Sequence, residues 1–293
     1  MRQRGGTALR WLIYLAPALL LYTAFMAFPL FDSVRLSFFK SGSFLSKDFV
    51  GFDNYIRLFL DKQNALRFWS AFGNTWYFFF IHMVVQNILG ILFAVLLMEK
   101  GLKGAGIYRT IIFIPATLAV LVTGYLWKLI LNPQWGALAI LLNKLGLTQF
   151  SLPWLGDARY ALTTVSLVSA WQWVGMPTMM FLAGLQNISD DMYEAADIAG
   201  ATKLQTFWYI TIPNIRTILL FTLVTSLIGG LNMFDIPKLF MMGGPDNATT
   251  TTSVYIYNLA FSGTYQYNRA AAASMIMFVI IVAASMVMFY LMR

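Results

Sequence analysis

Cysteine is missing from all 293 residues, histidine occurs once, and only 11% of the side chains are charged. The first absence excludes disulfides and thiolate metal sites, although it does not identify a compartment. The second excludes a histidine metal cluster or a relay of several imidazoles, leaving His82 as a polar residue inside an apolar run. Acidic residues number 12, and no two share a motif that would support paired-carboxylate hydrolysis. Gly101, Gly104 and Gly106 lie beside Lys100 and Lys103, but no Gly-Lys-Ser/Thr follows and no strand precedes them. That excludes ATP binding by a phosphate loop. The shortage of charge also argues against a soluble domain, which carries about 25% charged residues.

What is present is apolar sequence, 59% of the chain, gathered into charge-free runs. These are Trp11 to Phe31, Phe68 to Met98, Thr110 to Trp127, Tyr160 to Ser189, Thr217 to Phe234 and Ala270 to Met292. Each approaches or exceeds the roughly 18 to 20 residues that a helix needs to cross hydrocarbon. Outer-membrane strands are shorter and alternate, so the expectation is an all-α polytopic membrane protein with six transmembrane helices. The first run follows Arg2, Arg4 and Arg10 as a signal peptide would. It is long, contains Pro17 and Pro29, and lacks a clear small-residue cleavage site, so it reads as a retained span. Leu129 to Asn143, with Pro133 and Trp135, suits an interfacial or re-entrant helix rather than a seventh span.

Six spans place both termini on one side. The termini with the second and fourth loops hold nine of the 20 basic residues in a short length: Arg2, Arg4, Arg10, Lys100, Lys103, Arg109, Lys203, Arg216 and Arg293. Their density predicts cytoplasmic termini and a cytoplasmic Glu194 loop in a plasma membrane. The net charge of +8 therefore reflects topology, since no basic face interleaved with aromatics offers itself to nucleic acid. No loop is long enough for a soluble domain, so residues 1–293 read as one transmembrane domain within which 190–213 forms a cytoplasmic loop.

That loop carries the most specific pattern in the chain. Glu194-Ala195-Ala196, then three residues and Gly200, is followed after nine residues by Ile210-Thr211-Ile212-Pro213. The pattern resembles the ATPase-coupling loop of permease subunits in binding-protein-dependent ABC importers. Further resemblance lies in Leu182-Ala183-Gly184-Leu185-Gln186, Tyr108-Arg109-Thr110 through Pro115, Leu131-Asn132-Pro133, Phe234-Asp235, and Gly243-Gly244-Pro245 with Thr249 to Thr252. From about residue 11 onward the chain resembles the MalF-type permeases of carbohydrate importers more than their MalG-like partners. It departs from them at Ile198-Ala199-Gly200-Ala201 and Ile212-Pro213, where the family often has Ile-Asp-Gly-Ala and Leu-Pro.

The resemblance implies a MalF-like permease core plus a coupling helix, with Glu194, Ala195, Ala196, Gly200, Ile210 and Pro213 docking on an ATPase dimer. ATP and magnesium would be bound by that dimer, and this chain would hold no cofactor. The other implied partners are a MalG-like second permease, an extracytoplasmic solute-binding protein, lipid, and a sugar or oligosaccharide cargo. Gly243, Gly244 and Pro245 would contact the binding protein or else serve as a connector. Trp171, Val174, Gly175 and Thr178, with the Ala116 to Val120 segment, match positions that line the family's sugar site. A sugar needs aromatic faces and neutral hydrogen-bonding groups, which Trp171, Gln172, Trp173, Thr178, Thr117 and Asn232 offer. The same tryptophans serve equally well as helix packing or interfacial anchors. A glycerol-phosphate importer is the alternative within the family. A gradient-driven carrier would need ionisable groups inside the spans, which are nearly absent, and a membrane scaffold would accumulate no substrate.

Overall fold

The computed structural model describes residues 14–40, 48–99, 102–262 and 265–292. Arg2, Arg4, Arg10, Lys100 and Arg293, which weigh in the orientation, and the start of the first run at Trp11 lie outside these described residues. The described chain is almost wholly helical, with one isolated bridge between Phe39 and Phe49. Four helices are long and apolar enough to cross a membrane: α1 (Tyr14–Ser37), α3 (Lys62–Leu97), the stretch Arg216–Phe240 and the last helix, Tyr267–Met292. At about 1.5 Å per residue the 36 residues of α3 span roughly 54 Å, well beyond the ~30 Å of hydrocarbon. Between α1 and α3 lies the short α2 (Asp53–Leu60).

The other two expected spans are each divided between two helices. Thr110 to Trp127 is divided between α4 (Ala105–Thr117) and α5 (Val120–Ile130), which meet at 100° and make a fifth span if counted together. Pro115 removes a helical N–H, and Leu118 and Ala119 are extended, so the helix ends there. Tyr160 to Ser189 is divided at Val174 into α7 (Ala158–Trp173) and α8 (Gly175–Leu185), after the eight-residue α6 (Ala137–Lys144). Among the described residues the count by length and composition is four, or five with the bent pair. Leu129 to Asn143 forms no seventh span, because the turn around Asn132 and Pro133 separates α5 from α6; the Asn132 side chain accepts from the N–H groups of Gln134 and Trp135.

The chain then forms α9 (Asp190–Ile198), α10 (Lys203–Thr206), a π-helical turn (Phe207–Thr211) and α11 (Ile212–Asn214). The stretch Arg216–Phe240 comprises α12 (Arg216–Leu231), a break and a second π-helical turn (Ile236–Phe240). The final helices are α13 (Thr252–Phe261) and α14 (Tyr267–Met292).

Contacts divide the chain into two compact units. The first contains the chain up to Phe68 together with Ile256–Val279. Polar ties organise it: Asn54 Nδ2 donates to the Ser37 and Phe39 carbonyls, and Asn268 Nδ2 donates to Leu36 O at 2.9 Å. In the second unit, which includes Trp69–Tyr255, Phe78, Val165, Ile236 and Phe240 form one buried cluster. Ala94, Phe181, Leu185 and Ile215 belong to another. Asp157 caps α7, and hydrogen bonds from the Arg159 side chain and backbone hold its carboxyl down to about 2. Large apolar side chains such as Leu20, Phe25, Val279 and Tyr290 are exposed, as expected where lipid is the solvent.

Candidate functional site

Wherever a span is interrupted, backbone carbonyls lose their helical partners, and inside a membrane water is not there to replace them. Three interruptions in the second unit are met by side chains. Pro177 has no N–H to give to the carbonyl four residues earlier, and Gln86 Nε2 donates to that Trp173 carbonyl at 3.0 Å. Gln172 Nε2 donates to Leu118 O at 3.0 Å, where α4 parts from α5. At the break after α12, Thr251 Oγ1 donates to Met233 O at 2.9 Å.

These breaks border a cavity of about 420 Å³. Its wall takes His82 and Gln86 from α3, Val120 from the start of α5, Trp173 from the end of α7 and Met176 and Met180 from α8. Thr222, Thr225 and Ser226 on α12, then Asn232 and Asp235 beyond it, complete the polar part of the lining. Among the described residues the wall contains no lysine or arginine and one carboxylate, Asp235.

The residues selected from the sequence as a substrate path occupy three different environments. Asn232 lines the cavity and is exposed, and Trp173, with Val120 from the Ala116 to Val120 segment, lies on the same wall. Thr117 is exposed in a separate open depression with Arg109, Phe113 and Met179. Trp171 is 39% exposed and meets Trp127 edge to face, ring centres 5.3 Å apart. The remaining four are packed inside: Gln172 is 0% exposed, Val174 and Thr178 are buried, and the Thr178 hydroxyl donates to Val174 O. Gly175 is buried because α8 crosses α4 closely; a Cβ there would lie 2.8 Å from Ile112 O and 3.0 Å from Phe113 Cα. Gln86, Thr222 and Ser226 were not selected, and His82 reads from the sequence first as a bundle-packed polar residue with a transport-path role as the alternative, though polar pairs spaced four residues apart on an apolar span are a legible signal.

In the Glu194 loop, Asp190 and Asp191 occupy the first turn of α9, where negative charge suits the helix dipole. Glu194 and Ala195 are exposed, while Ala196 is buried. The helix ends in paired bonds, Ala201 N to Ala196 O and Gly200 N to Asp197 O, both 3.0 Å, around Gly200 at φ +74. This is a Schellman stop, which requires a left-handed residue at that position. Thr202 and Gln205 form a reciprocal capping box that starts α10 immediately afterwards. The Tyr193 hydroxyl lies 3.3 Å from that of Thr211, linking α9 to the returning segment, in which Ile210 is half-buried and Pro213 exposed. Ile198 is 88% exposed, with Trp208 and Tyr209 also exposed.

The Gly243-Gly244-Pro245 segment is closed on itself by the threonines that follow. Gly243 is buried, and Gly244 and Pro245 are half-buried. Thr249 Oγ1 donates to Gly244 O at 2.8 Å, Thr250 Oγ1 reaches Gly243 O, and the Thr252 and Thr75 hydroxyls lie 2.9 Å apart. Asn74 Nδ2 donates to the Asn247 and Thr250 carbonyls.

Comparisons with known proteins bear on this arrangement. The family described as "Binding-protein-dependent transport system inner membrane component" matches residues 86–293. The lactose transport system permease protein LacF of Rhizobium radiobacter is 33% identical over 285 residues, covering 97% of this chain and 93% of that protein. The trehalose/maltose transport system permease protein MalF of Thermococcus litoralis is 32% identical, covering 94% and 90%. A crystal structure of a bacterial alginate ABC transporter, in complex with an alginate pentasaccharide-bound periplasmic protein, contains a chain with a TM-score of 0.84 at 25% identity, covering 100% of this chain and 98% of that one.

Proposed function

Since the chain belongs to the family of binding-protein-dependent transport system inner membrane components, we propose that it is the permease subunit of an ABC importer, carrying a sugar or oligosaccharide into the cell. It pairs with a second, MalG-like permease, receives cargo from an extracytoplasmic binding protein, and is driven by ATP and magnesium bound in separate ATPase subunits. Its termini and α9 face the cytoplasm. The observation that carries this reading is α9, a nine-residue helix with exposed Glu194 and Ala195 that is stopped sharply at Gly200. Such a helix offers a small-residue surface to a cleft in another protein, and Glu194 offers a partner to its basic groups.

ATPase closure would move α9 as a lever and turn the attached spans, since a ligand shifts an equilibrium only through differential contacts with its states. The cavity beside the interrupted spans is the place for cargo, with Asn232 on its wall and Trp171 and Thr117 on neighbouring exposed faces. Gly243, Gly244 and Pro245 belong to the outer loop that meets the binding protein.

The test is recovery of the assembled complex from mild detergent, followed by ATPase and uptake assays in proteoliposomes. Recovery with a second permease and sugar-stimulated hydrolysis is expected. Glu194→Ala and Gly200→Leu should assemble but lower uptake relative to hydrolysis by about 5- to 150-fold, the usual range of coupling energies between sites. Recovery of the chain alone with gradient-driven uptake, or normal coupling in both variants, would refute the reading.

A further inference from the structure

The proposed cargo cavity has a polar wall whose hydrogen-bonding capacity is weighted towards acceptance. Thr222 Oγ1 donates to Ile218 O at 2.8 Å, and Thr225 Oγ1 to Phe221 O at 2.8 Å, so both hydroxyl protons are committed to the helix. Ser226 shares its hydroxyl with the Asn87 side chain. Lone pairs are what these groups retain for a ligand. His82 and Gln86, four residues apart on α3, are only 3% and 6% exposed, and each keeps a buried polar atom, Nδ1 and Oε1, without a hydrogen-bond partner. Gln86 cannot turn its amide freely, because Nε2 is held by Trp173 O. His82 is kept in place by stacking on Phe78, 5.5 Å between ring centres at 14°. Asp235 adds further acceptor oxygens, and the donors from Asn232 and Trp173 are neutral.

We infer that His82 and Gln86 are specificity-determining residues that hydrogen-bond the hydroxyls of a neutral saccharide, Gln86 through its acceptor Oε1 and His82 through an imidazole nitrogen, and that the wall they belong to rejects acidic ones. This rests on the importer reading. A polyol supplies both O–H donors and hydroxyl acceptors, and so can partner Gln86 Oε1 and His82 Nδ1 once the Trp173 bond and the Phe78 stacking that hold those side chains yield. A carboxylate or phosphate supplies only acceptors, finds no cation, and faces Asp235. A site built to bond a hydroxyl discriminates strongly against analogues that lack it, because its own buried groups are then left unpaired.

The complete importer in proteoliposomes, with its binding protein, would be given neutral disaccharides and arabino-oligosaccharides, their deoxy analogues and their uronic-acid counterparts. The binding protein's affinity for each would be measured separately, so that the membrane step can be isolated. His82→Phe retains a ring to stack on Phe78 and removes both nitrogens; the expected result is a KM for the imported neutral sugar raised about tenfold or more, with kcat largely retained. The variant should also discriminate less between that sugar and a deoxy analogue. His82→Gln should recover much of the loss, which separates recognition from packing, and co-purification of both variants with the partners checks assembly. Unchanged KM and selectivity in assembled His82→Phe would overturn the inference, as would import of the uronate as fast as its neutral counterpart at equal occupancy of the binding protein. Failure of the wild-type complex to import any sugar, with no sugar-stimulated hydrolysis, would instead overturn the importer reading beneath it.

Discussion

Gln172 shows how much a single side chain can mean and how little its identity reveals. In the sequence it is an amide between two tryptophans, attractive as a partner for sugar hydroxyls. In the fold it is fully buried and its Nε2 donates to the Leu118 carbonyl at the bend between α4 and α5. Gln172→Leu, close in size, would leave that carbonyl without a donor and destabilise the protein by about 1–3 kcal/mol, less a small gain from the unpartnered Oε1 it also removes. A fall of a few degrees in the detergent unfolding midpoint is expected; an unchanged midpoint would mean that the carbonyl has another donor. The glutamine was visible as a polar residue inside an apolar run, but its partner is 54 positions away, and no local pattern encodes that pairing. Gly200 is the opposite case, since the need for positive φ after a short helix is a local rule, and its place as a stop could be read directly.

The elements were most legible where apolar sequence is long and uninterrupted. α3 and α14 fall within or extend the runs that suggested them. Thr110 to Trp127 and Tyr160 to Ser189 looked equally continuous, because hydropathy registers composition and is blind both to a proline such as Pro177, whose missing N–H is answered by Gln86, and to a bend such as that at Leu118. Gly175 lies at one of these interruptions. Gly175→Ala would bring a Cβ within 2.8 Å of the Ile112 carbonyl, so backbone must shift. Overpacking of this kind costs about 1–3 kcal/mol. The expected outcome is reduced thermal stability with little change in helical circular dichroism; wild-type stability would mean that α4 and α8 separate without cost. The glycine was selected from a family pattern as a sugar-lining position, whereas its visible task is to allow two backbones to approach.

For the whole molecule, the distribution of exposed apolar surface is the informative property. Residues on α1 and α14 accord with contact to lipid, whereas Ile198 lies on the short segment between the long helices, with the exposed Trp208 and Tyr209, which also suit a membrane interface, ten residues on. A partner at α9 would bury Ile198, which stands next to the small residues of the proposed docking surface. Because the chain has no cysteine, Ile198→Cys creates a unique thiol. It should react readily with a maleimide in the isolated subunit and be protected in the complete complex; equal reactivity in the two would place the docking surface elsewhere.

The interrupted spans also bear on how readily such a molecule changes shape. Bending an intact helix in lipid means rupturing rungs of a hydrogen-bond ladder with no water to replace them. At Leu118, Trp173 and Met233 the rungs are already relinquished, and each carbonyl is held by one side chain that can swing with it. Movement at these points has one backbone bond fewer to break than in an intact helix, while neighbouring rungs such as Thr178 N to Val174 O remain. The folded chain has thus given up, at each of these points, one rung that an intact helix would have to break before it could bend.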